Sequence, residues 1–153
     1  MDNCVIYRIE DKNCGGMYRS NKRCETMVNI RNALYDIYED EEQFHPTPRA
    51  DILIVDELKK KFNVDLTEYS YFESIINTIS KFSFGFYSKE QLTNWVPLSF
   101  LSSIYDEGFR VVVIETPLDH LVIGTHQCMF VYDEVINKTK LSYKQAMSIL
   151  EEE

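Results

Sequence analysis

The 153-residue chain is 44% hydrophobic, with ten tyrosines and nine phenylalanines, so it carries enough apolar material for one folded domain spanning residues 1–153. Its net charge of −9 argues against a surface for duplex DNA, which needs clustered lysine and arginine, and allows either ordinary solubility or an acidic surface for a basic partner. No apolar run approaches the roughly 20 residues that span a bilayer, and residues 1–5 lack the pattern of a secretion signal, so we expect no membrane contact.

The first half of the sequence predicts one strand followed by helices. Residues 4–9 are rich in β-formers and predict a strand, and Gly15-Gly16 predicts a turn soon after it. Apolar residues at helical spacing predict three helices: residues 25–38, a helix begun by Asp51 or Asp56 that runs through residues 58–62, and residues 68–79.

The second half predicts strands and two helices that begin with capping boxes. The boxes are Ser88-x-x-Gln91 and Ser142-x-x-Gln145, and a further helix should begin at Pro97 and end at Gly108. The predicted strands are residues 81–86, 109–115, 120–123 and 126–132. Since no crossover helix separates the last three strands, we expect them to pair antiparallel.

This order of elements predicts an α+β fold. A mainly antiparallel sheet should form from the N-terminal strand and residues 109–132, with helices flanking it. The strongest β-pattern predicts a buried core at Val111, Val113, Ile123, Met129 and Phe130.

A first candidate ligand site combines Arg8 with the loop that carries Tyr18 and Arg19. A strand arginine beside a glycine-containing loop can bind a phosphate or carboxylate with two hydrogen bonds. The alternative is an outward-facing strand arginine next to a plain turn, because side chains alternate between the two faces of a strand.

A second candidate site lies on the late strands. His126 and Cys128 share a strand face, which allows a cysteine nucleophile with a histidine base. The alternative is a buried, inert thiol beside a hydrogen-bonded histidine, since Cys128 lies in an apolar stretch. Tyr87 belongs to an aromatic region that is mostly core, although an exposed ring there can stack on a base or a nicotinamide.

Two further groups of residues have a bearing on partners and metals. The acidic segment that contains Glu39, Asp40, Glu41 and Glu42 predicts contact with a basic protein surface, or otherwise a solvated face. Cys4, Cys14 and Cys24 are spaced by ten residues, which matches no common zinc-ligand pattern, so we expect reduced thiols and no metal.

Several short motifs resemble small uncharacterised accessory proteins of tailed bacteriophages. The motifs span residues 5–132 and include Phe84-Gly85-Phe86-x-Ser88-x-x-Gln91-Leu92-x-x-Trp95, Gly108-Phe109-Arg110-Val111 and Gly124-x-x-Gln127-x-x-Phe130. The resemblance implies an accessory gene product that acts in the bacterial host cytoplasm, and it implies no reaction.

A fainter resemblance is to ADP-ribosyltransferase-like folds. Arg8, either Ser83 or Tyr87, and Gln127 would occupy the places of that family's first-strand, middle-strand and catalytic glutamate residues. Gln127 departs from the pattern, because a neutral amide stabilises positive charge on the ribose poorly. The resemblance therefore implies nucleotide binding with loss of catalysis.

Together these observations predict a non-catalytic phage protein of host takeover or counter-defence. It would bind a host protein with a basic surface or a nucleotide-type ligand, with Arg8, Tyr18, Arg19, Tyr87, His126 and Gln127 as ligand-binding residues. The alternative is an ADP-ribosyltransferase-like enzyme, and only that alternative requires NAD as a cofactor.

Overall fold

The computed structural model describes residues 2–14, 52–63 and 82–151. The strands are β1 (Asn3–Glu10), β2 (Phe82–Gly85), β3 (Arg110–Pro117), β4 (Val122–Ile123), β5 (Cys128–Val131) and β6 (Asn137–Lys140). The α-helices are α1 (Ile52–Phe62), α2 (Lys89–Trp95), α3 (Leu101–Asp106) and α4 (Tyr143–Glu151). Short 3₁₀ helices occupy Leu98–Phe100, Leu118–His120 and Tyr132–Glu134. The predicted α+β class is confirmed.

The described strands form two antiparallel sheets. Sheet A has the order β1-β3-β6, and sheet B has the order β2-β5-β4. In sheet A, Ile6 lies opposite Ile114, and Val113 lies opposite Thr139. In sheet B, Phe84 lies opposite Met129.

In the part of the chain that the structure describes, the two sheets and the helices stack as four layers with three apolar cores between them. Side chains of a strand point alternately to its two faces, so β1, β3 and β5 each contribute buried residues to two cores. Helices α2, α3 and α4 pack on one face of sheet A around Ile9 and Val111. The other face of sheet A meets sheet B through Ile6, Val112, Ile114, Leu121, Cys128 and Phe130. The outer face of sheet B packs against α1 through Ile54, Leu58, Phe82, Val122 and Met129.

Within residues 2–14, 52–63 and 82–151, one antiparallel bridge, between Tyr7 and Phe86, joins the two sheets. The Tyr7 amide donates to the Phe86 carbonyl at 2.8 Å, and the Phe86 amide donates to the Tyr7 carbonyl at 2.7 Å. Gly85 makes this approach possible, since a Cβ there would lie 2.8 Å from the Tyr7 carbonyl oxygen.

Beyond this bridge the strands β1 and β2 separate. A continued ladder with the same register would place Ile9 opposite Phe84. The Arg8 guanidinium instead donates to the Phe84 carbonyl. The Arg8 side chain thus satisfies a strand-edge carbonyl at the point where one sheet divides into two.

The ends of the helices follow from local chemistry. Ser88 caps α2, and its Oγ accepts from the Gln91 amide at 3.1 Å, while Ser142 Oγ accepts from the Gln145 amide at 3.2 Å. The predicted capping box at Ser142 is confirmed, because the Ser142 amide also donates to Gln145 Oε1 at 2.9 Å. At Ser88 only the serine cap forms, since Gln91 Oε1 accepts from the Tyr87 amide rather than from the Ser88 amide. Gly108 has the positive φ of +94° that ends a helix. None of the described helices is long and apolar enough to cross a membrane.

Two details of the predicted sheet were wrong. Strands β4 and β5 pair antiparallel as expected, but β3 pairs with β1 and β6 rather than with β4. The 3₁₀ turn Leu118–His120 carries the chain from sheet A to sheet B, and β6 occupies the free edge of β3. The strand β6 was not predicted, because its polar Asn-Lys-Thr-Lys sequence has no hydrophobic alternation.

The predicted core is mostly confirmed. Val111, Met129 and Phe130 are fully buried, whereas Val113 and Ile123 are only partly buried. The predicted helices over residues 25–38 and 68–79 lie outside the described residues.

Candidate functional site

One candidate contact surface is organised by the side chain of Gln91. Its Oε1 accepts from the Tyr87 amide at 2.8 Å, and its Nε2 donates to the carbonyls of Gly124 and Thr125 at 2.9 and 3.2 Å. Gln91 therefore ties the start of α2 to the β4–β5 turn. We call Tyr87, Gln91 and residues 124–127 the Tyr87 corner.

The Tyr87 corner presents an exposed aromatic residue on a fixed backbone. Tyr87 is 42% exposed, and His126 is partly buried in the β4–β5 turn. The turn itself is closed by the Gly124 amide, which donates to the Gln127 carbonyl at 2.8 Å. Such a surface can contact a partner at little entropic cost, because its backbone is already ordered.

A second cluster of polar side chains joins β1, the 3₁₀ turn at Tyr132 and β6. Arg8 and Glu10 share the inward face of β1 and are 6% and 1% exposed. Glu10 accepts from Arg8 Nε at 2.9 Å, from the Tyr132 hydroxyl at 2.9 Å and from Lys138 Nζ at 3.0 Å. We call Arg8, Glu10, Tyr132 and Lys138 the ionic cluster.

The ionic cluster is stabilised by aromatic faces as well as by hydrogen bonds. The Arg8 guanidinium carbon lies 5.8 Å from the centroid of the Phe130 ring and 5.9 Å from that of Tyr132. Lys138 Nζ lies 5.1 Å from the Tyr132 centroid. These contacts offset part of the cost of burying charge.

The environment of the ionic cluster shifts two pKa values upward. Burial raises the pKa of Tyr132 to about 12, against an opposing hydrogen bond from Lys138. Burial alone would lower the pKa of Lys138, but hydrogen bonds to Tyr132, Glu10 and Cys14 outweigh it and raise that pKa. Lys138 is therefore held as a cation.

Cys14 lies at the exposed edge of the ionic cluster. Cys14 has a φ of +64° and ends a turn in which its backbone amide donates to the Asp11 carbonyl at 3.1 Å. Lys138 Nζ donates to Cys14 Sγ at 3.2 Å, and this hydrogen bond, with one from Tyr132, lowers the pKa of the Cys14 thiol. Cys14 is therefore ionised more readily than an ordinary cysteine.

The other described thiols have the opposite character. Burial raises the pKa of Cys128, which is fully buried, and also raises the pKa of Cys4. A cysteine nucleophile must be a thiolate, and the environment of Cys128 suppresses that form. The interpretation of Cys128 as a buried thiol is confirmed.

Arg8, one of the predicted ligand-binding residues, is tightly constrained. Its guanidinium already bonds Glu10, the Phe84 carbonyl and, at 3.4 Å, the Cys14 carbonyl. The alternative of an outward-facing arginine is wrong, because Arg8 is buried between the sheets. Its role as a ligand anchor stays a prediction.

The remaining predicted site residues fall into two groups. Tyr87, His126 and Gln127 lie together in the Tyr87 corner, where Gln127 is 5% exposed. The others lie outside the described residues, and their roles stay predictions: Tyr18, Arg19, Glu39, Asp40, Glu41 and Glu42. Among the residues that the structure covers, no three His, Cys, Asp or Glu side chains are grouped to hold a metal ion.

Residues that the sequence reasoning missed include Glu10, Gln91 and Lys138. Glu10 follows Arg8 by two residues on a strand, and that spacing places both side chains on one face. This signal was available in the sequence. The long-range contacts of Gln91 and Lys138 depend on the packing of the sheets, which no local pattern contains.

The family model described as Bacteriophage T4 Y00F protein matches residues 1–144. The chain belongs to this family. The match covers nearly the whole sequence and confirms the resemblance to small bacteriophage proteins. No curated protein and no solved structure matches the chain.

Proposed function

We propose that this member of the Y00F family is a non-catalytic accessory protein of host takeover or counter-defence. It binds a host protein in the bacterial cytoplasm, and the Tyr87 corner forms the centre of the contact. The observation that carries this proposal is the exposed Tyr87 ring on a backbone fixed by Gln91. Tyrosine is enriched among the residues that dominate binding energy at protein interfaces.

The buried residues support binding rather than catalysis. The Arg8 guanidinium is already hydrogen-bonded to Glu10 and to the Phe84 carbonyl of the same chain. Cys128 is fully buried, and burial raises its pKa and so suppresses its thiolate form. The acidic segment Glu39–Glu42 fits this proposal as a second contact, because carboxylates would steer a basic partner surface.

A nucleotide-type ligand is the second candidate, and the same corner favours it. An exposed tyrosine ring offers a surface on which a base can stack. The ADP-ribosyltransferase alternative requires Arg8 to leave Glu10 before it can hold a cofactor phosphate. Incubation with labelled NAD and host lysate should therefore yield no ADP-ribosylated product.

The test compares Tyr87→Ala with Tyr143→Ala in capture of host proteins from bacterial lysate. Both tyrosines are 42% exposed, but Tyr143 lies on α4 and contacts Tyr105 rather than the Tyr87 corner. If Tyr87 dominates the interface, its truncation costs at least about 2 kcal/mol of binding, or more than tenfold in affinity. Tyr143→Ala should capture the same partner as the wild type.

Native mass spectrometry of the protein purified from infected cells separates the two candidates. A bound polypeptide that is lost in Tyr87→Ala supports the protein partner, whereas a small ligand lost in the same variant supports the nucleotide. Equal recovery of partner by wild type, Tyr87→Ala and Tyr143→Ala would remove the Tyr87 corner from the proposal.

A further inference from the structure

Cys14 and Lys138 bring two reactive side chains into direct contact. Cys14 Sγ lies 3.2 Å from Lys138 Nζ, across 124 positions of sequence. Cys14 is exposed, and the Lys138 side chain is 22% exposed, so small molecules in solution can reach the pair. The pair lies apart from the residues that define the Tyr87 corner.

Both partners are held in place. In the turn, the Cys14 backbone amide donates a hydrogen bond to the Asp11 carbonyl, and Arg8 Nη2 donates to the Cys14 carbonyl at 3.4 Å. Lys138 is positioned on β6 by its bonds to Glu10 and Tyr132. Reacting atoms at about 3–3.5 Å in a fixed arrangement have already lost much of the entropy that a bimolecular reaction would cost.

We propose that Cys14 and Lys138 form a site of oxidative modification, in which dioxygen links Sγ to Nζ through one oxygen atom. The product is a covalent N–O–S bridge between the turn after β1 and strand β6.

The chemistry balances with dioxygen as the oxidant. The ammonium of Lys138, the thiolate of Cys14 and one dioxygen give the bridge and one water molecule. One oxygen atom forms the new N–O and O–S bonds, and the other leaves as water with two of the three ammonium protons. Sulfur and nitrogen each lose two electrons, and dioxygen accepts all four. The lowered pKa of Cys14 favours this reaction because it supplies the thiolate form.

The bridge would change the ionic cluster. The bridged nitrogen is no longer an ammonium, so Glu10 loses the cation that lies 3.0 Å from it and keeps Arg8 and Tyr132. At the same time, the covalent link fixes the Cys14 turn to sheet A. Oxidation thus replaces the Lys138–Glu10 ion pair with a cross-link between Cys14 and β6.

The experiment exposes the purified protein to dioxygen-saturated buffer and measures its intact mass against an anaerobic sample. The expected product gains one oxygen and loses two hydrogens, and dithiothreitol restores the original mass. Tryptic digestion should release one cross-linked product in which the peptide of residues 13–19 is joined to the peptide of residues 111–140. The second peptide runs past Lys138 because trypsin does not cleave after a bridged lysine. This peptide is read from the wild-type protein and does not depend on the folding of any variant.

Matched variants test the two partners. Cys14→Ser and Lys138→Arg should abolish the product, whereas Cys4→Ser and Lys140→Arg should retain it, since Lys140 is an exposed lysine of the same strand. Oxygen gained without loss of hydrogen, equally in wild type and Lys138→Arg, would mean simple sulfur oxidation and overturn the proposal. Loss of two hydrogens without a gain of oxygen would mean a disulfide and would overturn the proposal. An unchanged mass would overturn it as well.

Discussion

Arg8 and Glu10 are a charged pair at positions where a strand between two apolar layers normally carries hydrophobic side chains. Breaking a buried pair by removing one partner typically costs about 3–5 kcal/mol, because the remaining charge is left uncompensated. Glu10 has three partners, so its charge and most of its hydrogen-bonding capacity are satisfied. The pair is therefore compatible with a stable fold while fixing how the two sheets meet.

The environment of each cysteine predicts the pH at which its thiol becomes reactive. The pKa of Cys14 is lowered, chiefly by the hydrogen bond from Lys138, whereas burial raises the pKa values of Cys4 and Cys128. Since the thiolate is the nucleophile, Cys14 should react with iodoacetamide at the lowest pH of these three. Peptide-resolved mass spectrometry across a pH series measures the order.

Lys138→Gln tests the cause of this reactivity. It removes the ammonium that stabilises the thiolate, so the pH profile of Cys14 should move upward. Lys140→Gln, on the same strand, should leave the profile in place. A Cys14 profile that is identical in wild type and Lys138→Gln would show that Lys138 does not control the thiol.

At the scale of elements, the predictable parts of the fold are those with local signals. The β-branched run in β3 and the two serine caps were visible in the sequence because propensity and hydrogen-bonding chemistry act over a few residues. Strand β6 could not be predicted from the sequence, since it is a strand because of its pairing with β3 and not because of its composition. The division into two sheets was equally hidden, because the contact between Arg8 and the Phe84 carbonyl at that point joins distant parts of the chain.

Gly85 is the element-scale position that we expect to tolerate a side chain least. Its absent Cβ allows β2 to approach the Tyr7 carbonyl, so Gly85→Ala forces the strands apart. Overpacking of this kind typically costs about 1–3 kcal/mol. Urea denaturation should report that loss, and hydrogen exchange should show faster exchange of the Tyr7 and Phe86 amides, which form the bridge.

Gly108→Ala is the control for this prediction. Gly108 has a φ of +94° and no atom within 4 Å of its Cβ position, so its replacement strains only its own backbone. Left-handed strain costs roughly 1–2 kcal/mol for a residue with a side chain. Both variants should lose stability, but only Gly85→Ala should weaken the Tyr7–Phe86 bridge. Unchanged exchange at that bridge in Gly85→Ala would contradict the role of Gly85.

At the scale of the whole molecule, the layers depend on one another. Each inner strand places alternate residues in different cores, as Met129 does toward α1 and Phe130 does toward sheet A. A substitution that destabilises the core between the sheets should therefore destabilise both sheets.

Phe130→Ala tests this dependence. Phe130 is fully buried between the sheets, and its truncation should lower the free energy of unfolding by about 3–5 kcal/mol. Circular dichroism and Trp95 fluorescence should report the same midpoint in urea, because Trp95 belongs to the helical core beyond sheet A. Ile136→Ala, at a 54% exposed position, should change stability by less than about 0.5 kcal/mol. A separate, unshifted Trp95 transition would mean that the layers unfold independently.

The pairing of β1 with β3 also dictates when the protein can fold. Asn3 lies opposite Pro117, so β1 is synthesised more than a hundred residues before the end of its partner strand. At about 5–20 residues per second on the ribosome, that interval is of the order of 5–20 s. Throughout it, β1 lacks β3, the strand that pairs with it along its whole length, and closing so long a loop makes folding slow. The nascent chain is thus most vulnerable to aggregation and proteolysis before residue 117 has emerged.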